Sequence, residues 1–139
     1  MFDIDGTLTC VKQRKHFLEQ SPKDFDAFYA AMGNDDPRSE IIELCNMYFG
    51  AGWTVYLFTG RLESYRDITV AWLKQNKVSY HQIFMRPDSK RYDSDVEIKQ
   101  QMILEVGVEI SLAVDDRDQA VQMWREHGVV CLQCAEGGF

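Results

Sequence analysis

Long hydrophobic runs are absent from this 139-residue sequence. No stretch approaches the roughly 20 apolar residues that a membrane-spanning helix needs, and no charged start leads into an apolar segment as in a signal peptide. The sequence therefore predicts a cytoplasmic protein without a membrane partner. Its length leaves no room for a second folded domain, so we expect residues 1–139 to form a single domain.

Cysteine is also sparse, with four residues in the chain. Apolar residues make up 45% of the sequence, which is enough for an ordinary core, so reduced thiols are expected rather than a disulfide framework. Cys131 and Cys134 match the C-x-x-C pattern of redox and zinc sites. They lie in a predicted strand, however, and side chains three apart on a strand point to opposite faces. This spacing favours buried packing over a redox or zinc role.

Positive charge is scarce, and the formal net charge is −7. This balance argues against a protein that holds duplex nucleic acid by broad neutralisation of its phosphates. The phosphate-binding pattern G-x-x-x-x-G-K-[ST] does not occur, which excludes a P-loop kinase within this sequence. The net charge does not exclude a local basic site. The candidate residues for such a site are Lys12, Arg14, Lys15, His16, Arg86, Lys90 and Arg91.

Short β-type runs alternate with helical stretches, which predicts an α/β fold with a parallel sheet of about five strands and helices on both faces. The predicted strands are Met1–Ile4, Trp53–Phe58, Gln82–Met85, Ile110–Val114 and Val129–Cys134. The predicted helices are residues 37–49 with Asp36 as N-cap and Pro37 in the first turn, 65–75 after Ser64, 96–106 after a Ser94–Glu97 capping box, and 118–127.

Residues 9–36, directly after the first predicted strand, depart from the alternation of strands and helices. They contain one more predicted helix, Pro22–Met32 with Ser21 as N-cap, where a short loop would suffice. An insertion beside a strand end often carries function, whereas the alternative is a decoration that only covers the core. We predict a small helical cap in this segment.

Asp3 and Asp5 lie at the carboxyl end of the first predicted strand, two residues apart and hence on one face. Open parallel sheets bind ligands at this edge. Two carboxylates there suit a divalent cation with oxygen ligands, and one can attack a substrate while the other moves a proton. The pattern alone is weak, because acidic residues followed by glycine are common in turns.

Three later patterns add to this pair. Thr59-Gly60-Arg61 offers a hydroxyl, backbone amides and a guanidinium to phosphate oxygens, although the same residues also suit a plain turn. Asp95 and Lys99 share one face of a predicted helix and, taken alone, are read as a surface ion pair. Asp115-Asp116 follows a strand, where it would either cap the next helix or anchor a metal ion.

Joined in this order, the four motifs resemble those of the haloacid dehalogenase superfamily of phosphotransferases. The pattern is most similar to the 3′-phosphatase domain of bacteriophage polynucleotide kinase-phosphatase and its stand-alone phage and bacterial relatives. The resemblance covers nearly the whole chain and is densest at Leu112–Arg117, Val121-x-Met123-Trp124-Arg125 and Gly137-Gly138-Phe139. It implies a three-layer, Rossmann-like fold and a Mg²⁺-dependent phosphatase that works through an aspartyl-phosphate.

The resemblance also assigns roles to individual residues. Asp3 matches the nucleophile, and Asp5 matches the general acid-base residue that also gives Mg²⁺ a backbone oxygen. Lys99 matches the lysine that neutralises nucleophile and phosphate. The other matches are Thr59 and Gly60 as holders of the phosphoryl group, Arg61, Arg14 and Arg86 at family arginine positions, Asp95 orienting the lysine, and Asp115 and Asp116 on Mg²⁺.

The substrate implied by the resemblance is a 3′-phosphate at a DNA or RNA end, as in nucleic acid end repair. Two alternatives are a phosphatase of nucleoside monophosphates or sugar phosphates, and a non-catalytic interaction module that would be expected to lose one of the key residues. Homodimer formation, and a separate kinase or ligase in the same pathway, stay open. The family's first strand normally has several apolar residues upstream, so the two that precede Asp3 predict a short central strand.

Overall fold

A computed structural model describes residues 1–137 of the chain; Gly138 and Phe139, which contribute to the family resemblance, lie outside the described residues. Five strands form a parallel sheet in the order β5-β4-β1-β6-β7, and two form a separate antiparallel ribbon. The seven strands within residues 1–137 are β1 Phe2–Asp3, β2 Thr9–Cys10, β3 Asp36–Pro37, β4 Tyr56–Leu62, β5 Gln82–Arg86, β6 Leu112–Asp115 and β7 Val130–Gln133.

Helices cover both faces of the parallel sheet. One apolar core lies under α3 (Ser39–Gly50) and α4 (Arg66–Gln75), and a second lies under α5 (Asp95–Val106) and α6 (Asp118–Glu126). The α6 sequence shows why it packs there, because Ala120, Val121 and Trp124 recur on one helical face and are buried. The predicted α/β fold with a five-stranded parallel sheet is therefore confirmed.

The segment between β1 and α3 leaves and rejoins the body through the β2–β3 ribbon, in which Thr9 pairs with Pro37 and Cys10 with Asp36. We call residues 9–37 the cap segment. It contains α1 (His16–Glu19), α2 (Phe25–Ala30) and a 3₁₀ turn, Ala31–Asn34. A helix is present within the predicted range Pro22–Met32, but it is shorter than predicted, and Ser21 is not its N-cap. Helix α2 begins later because the Asp24 carboxylate accepts from the Ala27 amide at 2.9 Å and caps it there.

The start of α3 also differs from the prediction. Asp36 and Pro37 were expected to begin this helix, but they form β3. A residue before proline is biased toward extended backbone, and Pro37 continues the ribbon. Helix α3 begins at Ser39, with Arg38 in the N-cap position, and it runs through Gly50 to a cap at Ala51.

Two further boundaries are corrected, and one is confirmed. Thr59-Gly60-Arg61 does not follow the second strand of the sheet but lies inside β4, where pairing with β5 shifts between Thr59 and Leu62. Ser64 does not cap α4, because residues Glu63–Tyr65 form a 3₁₀ turn before it. The capping box at Ser94 and Glu97 is present and fixes the start of α5.

All four cysteines are free thiols, as expected. Cys131 packs in the core under α5 and α6, whereas Cys134 packs against the core under α3 and α4, so the two point to opposite faces. Among residues 1–137, no helix is both long enough and apolar enough to cross a lipid bilayer.

Candidate active site

The carboxyl edge of the sheet brings the acidic motifs together. Strand β1 lies between β4 and β6, with Phe2 beside Leu57 and Val114, so Asp3 and Asp115 end neighbouring strands. Gly6 then turns the chain sharply with φ +88°, and its amide donates to the Thr9 carbonyl at 3.0 Å. A left-handed backbone of this kind favours glycine, which explains the glycine after Asp5.

Lys99 joins the motifs on three different elements. Its ammonium nitrogen is fully buried and lies 2.9 Å from Asp3 Oδ1, 2.7 Å from Asp115 Oδ2 and 3.2 Å from Asp95 Oδ2. The pair of Asp95 and Lys99 is therefore part of a buried cluster and not a surface ion pair. A buried ammonium needs compensating carboxylates, and this cluster supplies three.

Ionisation within this cluster is strongly perturbed. Burial alone would lower the pKa of Lys99, but the charges of Asp3, Asp95 and Asp115 outweigh it and raise the pKa well above its ordinary value. Burial, together with the neighbouring carboxylates Asp115 and Asp116, raises the pKa of Asp3 despite the attraction of Lys99. The lysine thus stays cationic and faces an oxygen of the Asp3 carboxylate.

Asp3, Asp115 and Asp116 fit a hard divalent cation. Each offers a carboxylate oxygen, and these oxygens lie within 4.8 Å of one another. The backbone leaves room for them, because a Cβ at Gly6 would lie 2.2 Å from Asp116 Oδ2. Burial and the charge of Asp115 raise the pKa of Asp116 to about 6, against the opposing charges of Arg117 and Lys99.

The three carboxylates are not equivalent. Both oxygens of Asp115 accept hydrogen bonds, from Lys99 and Trp124 on one side and from the amides of Asp116 and Arg117 on the other. Asp116 accepts one bond at 3.3 Å from the Thr7 hydroxyl. Asp116 therefore retains more lone-pair capacity for an ion, and Asp115 mainly orients the lysine.

Asp5 belongs to a second cluster with two buried arginines. The Arg61 guanidinium donates to Asp5 through Nε at 3.1 Å and Nη2 at 2.6 Å, and Arg14 Nη2 also donates to Asp5 Oδ1. Burial raises the pKa of Asp5, but Arg61 and Arg14 outweigh it and hold the pKa below its ordinary value. Asp5 is therefore a carboxylate in this arrangement.

Asp35 completes the second cluster from the end of the cap segment. Its carboxylate accepts from Arg14 Nε at 2.8 Å, Arg14 Nη2 at 2.7 Å and Arg61 Nη2 at 3.2 Å, and its carbonyl accepts from Trp72 Nε1 at 2.8 Å. Two arginines thus face two carboxylates. The Arg14 guanidinium also lies over the Phe28 ring, 4.2 Å from its centroid.

The bulged part of β4 and the end of β5 meet beside these clusters. Thr59 is buried next to Phe58, the strand partner of Asp3, and its hydroxyl accepts from the Arg61 amide at 3.2 Å. Arg86 Nε donates to the Gly60 carbonyl at 2.9 Å, and its Nη2 lies 3.6 Å from Asp95. A Cβ at Gly60 would meet Asp95 Oδ1 at 2.6 Å, so glycine is required there.

A cavity of about 260 Å³ opens over Asp3 and Asp5. Three basic side chains are buried beneath this cavity, namely Arg14, Arg61 and Lys99. They do not line it, but they contact the carboxylates of Asp5 and Asp3, which do. Of the basic candidates, Arg86 and Arg91 line the cavity, but Lys12, Lys15, His16 and Lys90 do not. The cavity is lined by the charged residues Asp3, Asp5, Arg86, Arg91, Asp93, Asp95 and Arg117, and by Gly60, Leu18, Phe25, Phe28 and Tyr29.

Comparison with known proteins decides the family. The profile of the polynucleotide kinase PNKP phosphatase domain matches residues 1–139. The chain belongs to this family. The family predicted from the four motifs is thereby confirmed, and the chain is a phosphatase, a phosphoric monoester hydrolase.

Two solved structures show the same architecture as this PNKP phosphatase domain. One is a chain of the Pnkp1/Rnl/Hen1 RNA repair complex, with a TM-score of 0.82 and 27% identity over 99% of this chain and 42% of that one. The other comes from a Pnkp1/Rnl/Hen1 complex, with a TM-score of 0.82 and 28% identity over 99% of this chain and 46% of that one. The chain thus spans less than half the length of these two neighbours.

Sequence reasoning missed several residues of this PNKP phosphatase site. Arg117 directly follows the recognised pair Asp115-Asp116, so its position was visible but no role was assigned to it. Asp35 carried no local signal, because its importance comes from burial against two arginines that lie 21 and 26 residues away. Phe25 and Tyr29 lie four apart in the predicted helix and hence on one face, which was a visible signal, but no role was assigned to them.

Proposed function

We propose that this chain removes the 3′-phosphate from polynucleotide ends in a Mg²⁺-dependent reaction with an aspartyl-phosphate intermediate. The observation that carries the proposal is the Asp3 carboxylate, which is fixed by Lys99 at the floor of a cavity that also holds Asp5 and three arginines. The family and the RNA repair neighbours support a polynucleotide end as the substrate.

Asp3 is the nucleophile in this proposal. One of its carboxylate oxygens attacks phosphorus while the bond from phosphorus to the 3′-oxygen breaks, and Lys99 offsets the negative charge on the transferring group. Asp3, Asp116 and Asp115 would hold Mg²⁺, with the backbone oxygen of Asp5 as a further ligand. When bound, the ion supplies Lewis-acid stabilisation of the phosphoryl oxygens.

Asp5 is the general acid and then the general base. Protonated Asp5 gives its proton to the leaving 3′-oxygen, and the resulting carboxylate later takes a proton from the water that attacks the aspartyl-phosphate. Arg14 and Arg61 favour the carboxylate form. An incoming phosphate dianion opposes that positive field and therefore favours the protonated form of Asp5 when the substrate binds.

The remaining residues position the substrate. The Thr59 hydroxyl and the backbone at Gly60 hold the phosphoryl group, Arg14 and Arg61 orient Asp5, and Asp95 orients Lys99. Arg86, Arg91 and Arg117 line the same cavity and attract the phosphates of the chain behind the reacting end. These three arginines offer positive charge to the polynucleotide beside the four carboxylates of the same cavity, Asp3, Asp5, Asp93 and Asp95. We further propose that a separate kinase or ligase acts in the same pathway.

The test is phosphate release with Mg²⁺ from oligonucleotides that carry a 3′- or a 5′-phosphate, each as DNA and as RNA. We expect release from the 3′-phosphorylated substrates and none when Asp3→Asn replaces the nucleophile. Beryllium fluoride, which mimics an aspartyl-phosphate, should raise the melting temperature of the wild type but not of Asp3→Asn. Turnover confined to mononucleotides or sugar phosphates would assign a small-molecule substrate instead.

A further inference from the structure

The cavity over Asp3 has an apolar wall that the phosphate chemistry does not use. Leu18, Phe25, Phe28 and Tyr29, all from the cap segment, form this wall. Phe28 is buried under the Arg14 guanidinium, and the Tyr29 ring stacks on Tyr65 with centroids 5.2 Å apart. Both rings therefore have partners that explain their positions.

Phe25 differs from them. It lines the same cavity, yet 47% of its surface is exposed and it makes no ring contact with any residue in the described part of the chain. About half of this apolar ring stays in contact with water beside a charged site, and that half contributes nothing to the burial of apolar surface on folding. Its free face is available to a ligand that enters the cavity.

The helix that carries the ring is also held in place. Phe25 is the first residue of α2, which the Asp24 carboxylate caps, and the next residue, Asp26, pairs with Arg91 at 2.7 Å. Arg91 belongs to the segment after β5, so this ion pair ties the cap segment to the body beside the ring. Because the backbone beneath the ring is already ordered, binding a ligand here costs little backbone conformational entropy.

We propose that Phe25 binds the nucleobase of the terminal nucleoside by stacking against its face, which makes it a specificity residue for nucleoside 3′-phosphates. This inference rests on the proposed function. A phosphate held at Asp3 leaves its nucleoside between Asp3 and the cavity mouth, where Phe25 supplies the exposed aromatic face. Stacking on an aromatic side chain accepts every base, because each base has a π-face.

The substitution Phe25→Ala should raise KM for a 3′-phosphorylated oligonucleotide roughly 10-fold and leave kcat nearly unchanged, because it removes binding outside the reacting group. Phe25→Trp should retain the wild-type KM. Trp53→Ala is the matched control, since Trp53 is similarly exposed but lines a different cavity at the start of β1. It should leave KM unchanged.

An oligonucleotide whose 3′-phosphorylated terminal sugar is a stable abasic analogue separates stacking from support of the fold. Wild-type enzyme should show the same rise in KM on this substrate, and Phe25→Ala should add nothing further. The stacking inference is wrong if Phe25→Ala raises KM equally for the normal and the abasic substrate. It is also wrong if removal of the base leaves the wild-type KM unchanged. In both cases the proposed function stands. Absence of wild-type release from every 3′-phosphorylated oligonucleotide would overturn the proposed function itself. If Phe25→Ala does not fold, KM for the normal and the abasic substrate is compared in the wild type and in Phe25→Trp, and this comparison tests the stacking inference.

Discussion

The turn at Gly6 gives the sharpest test of the metal site, because the chain contains a second glycine, Gly52, with the same φ angle and open space where a Cβ would lie. Gly6 and Gly52 both have φ +88°. Alanine at either position costs about 1–2 kcal/mol of backbone strain. A Cβ at Gly52 would meet nothing within 4 Å, whereas a Cβ at Gly6 would lie 2.2 Å from Asp116 Oδ2 and 2.6 Å from Asp116 Cγ. Gly52→Ala therefore isolates the strain, and Gly6→Ala adds a clash.

The size of that clash sets the expected loss. Carbon and oxygen atoms without a covalent bond approach to about 3.3 Å, so the Asp116 carboxylate must move by about 1 Å to accept the new methyl group. A displacement of about 1 Å in a catalytic arrangement costs roughly 100-fold in rate. We expect Gly6→Ala to lose about 100-fold in phosphate release and to lose the rise in melting temperature that Mg²⁺ gives the wild type.

Both variants and the wild type should be compared by phosphate release and by thermal unfolding with and without Mg²⁺. Gly52→Ala should unfold at a lower temperature than the wild type but keep the full Mg²⁺-dependent rise and full turnover. Equal turnover and an equal Mg²⁺ response in Gly6→Ala and Gly52→Ala would refute the assignment of Asp116 to the metal site.

Two further predictions concern the buried ionisable groups. Asp35→Asn leaves two buried arginines short of one carboxylate and should lower the free energy of unfolding by about 3 kcal/mol, whereas Asp36→Asn on the exposed neighbour should change it by less than about 0.5 kcal/mol. Urea titration measures both, and equal values would contradict the two-arginine cluster. Burial raises the pKa of Cys45 to about 12 and of Cys131 to about 11, so both remain thiols at pH 8. Burial also raises the pKa of the half-buried Cys134. Native protein should then be alkylated rapidly only at the half-buried Cys10, and all four cysteines should react in urea.

The general architecture could be predicted because it follows from patterns that lie close together in sequence. Alternating strand and helix periodicity is local, and it predicted five parallel strands with helices on both faces. The Ser94–Glu97 capping box is equally local and fixed the start of α5. The motifs near strand ends could be placed at one edge because parallel strands bring their carboxyl ends together, whereas Asp95 and Lys99 were joined to them through the family resemblance.

The remaining features depend on contacts that sequence spacing does not reveal. Pro37 is compatible with the first turn of a helix, and its place in the ribbon is set by pairing with Thr9, 28 residues earlier. Asp35 looks like an ordinary loop acid until two arginines are known to surround it. Arg61 was expected to touch phosphate, yet its guanidinium is buried and bonded to Asp5, Asp35 and Thr69.

The two-residue pairing of β2 with β3 has a consequence for how such a phosphatase can change over evolution. It joins the two ends of the cap segment next to the sheet, so the chain between them can lengthen or shorten while the strands stay in register, at a cost that grows only slowly with length. Arg14 and Asp35 lie next to this ribbon, on the side of the cap segment, and both are needed to hold Asp5. Apart from Phe28, which contacts Arg14, the residues between them, from 15 to 34, take no part in the hydrogen bonds and ion pairs that hold Asp5. The cap residues that line the cavity and contact the leaving group can therefore change in evolution while the residues that break the phosphorus–oxygen bond stay in place.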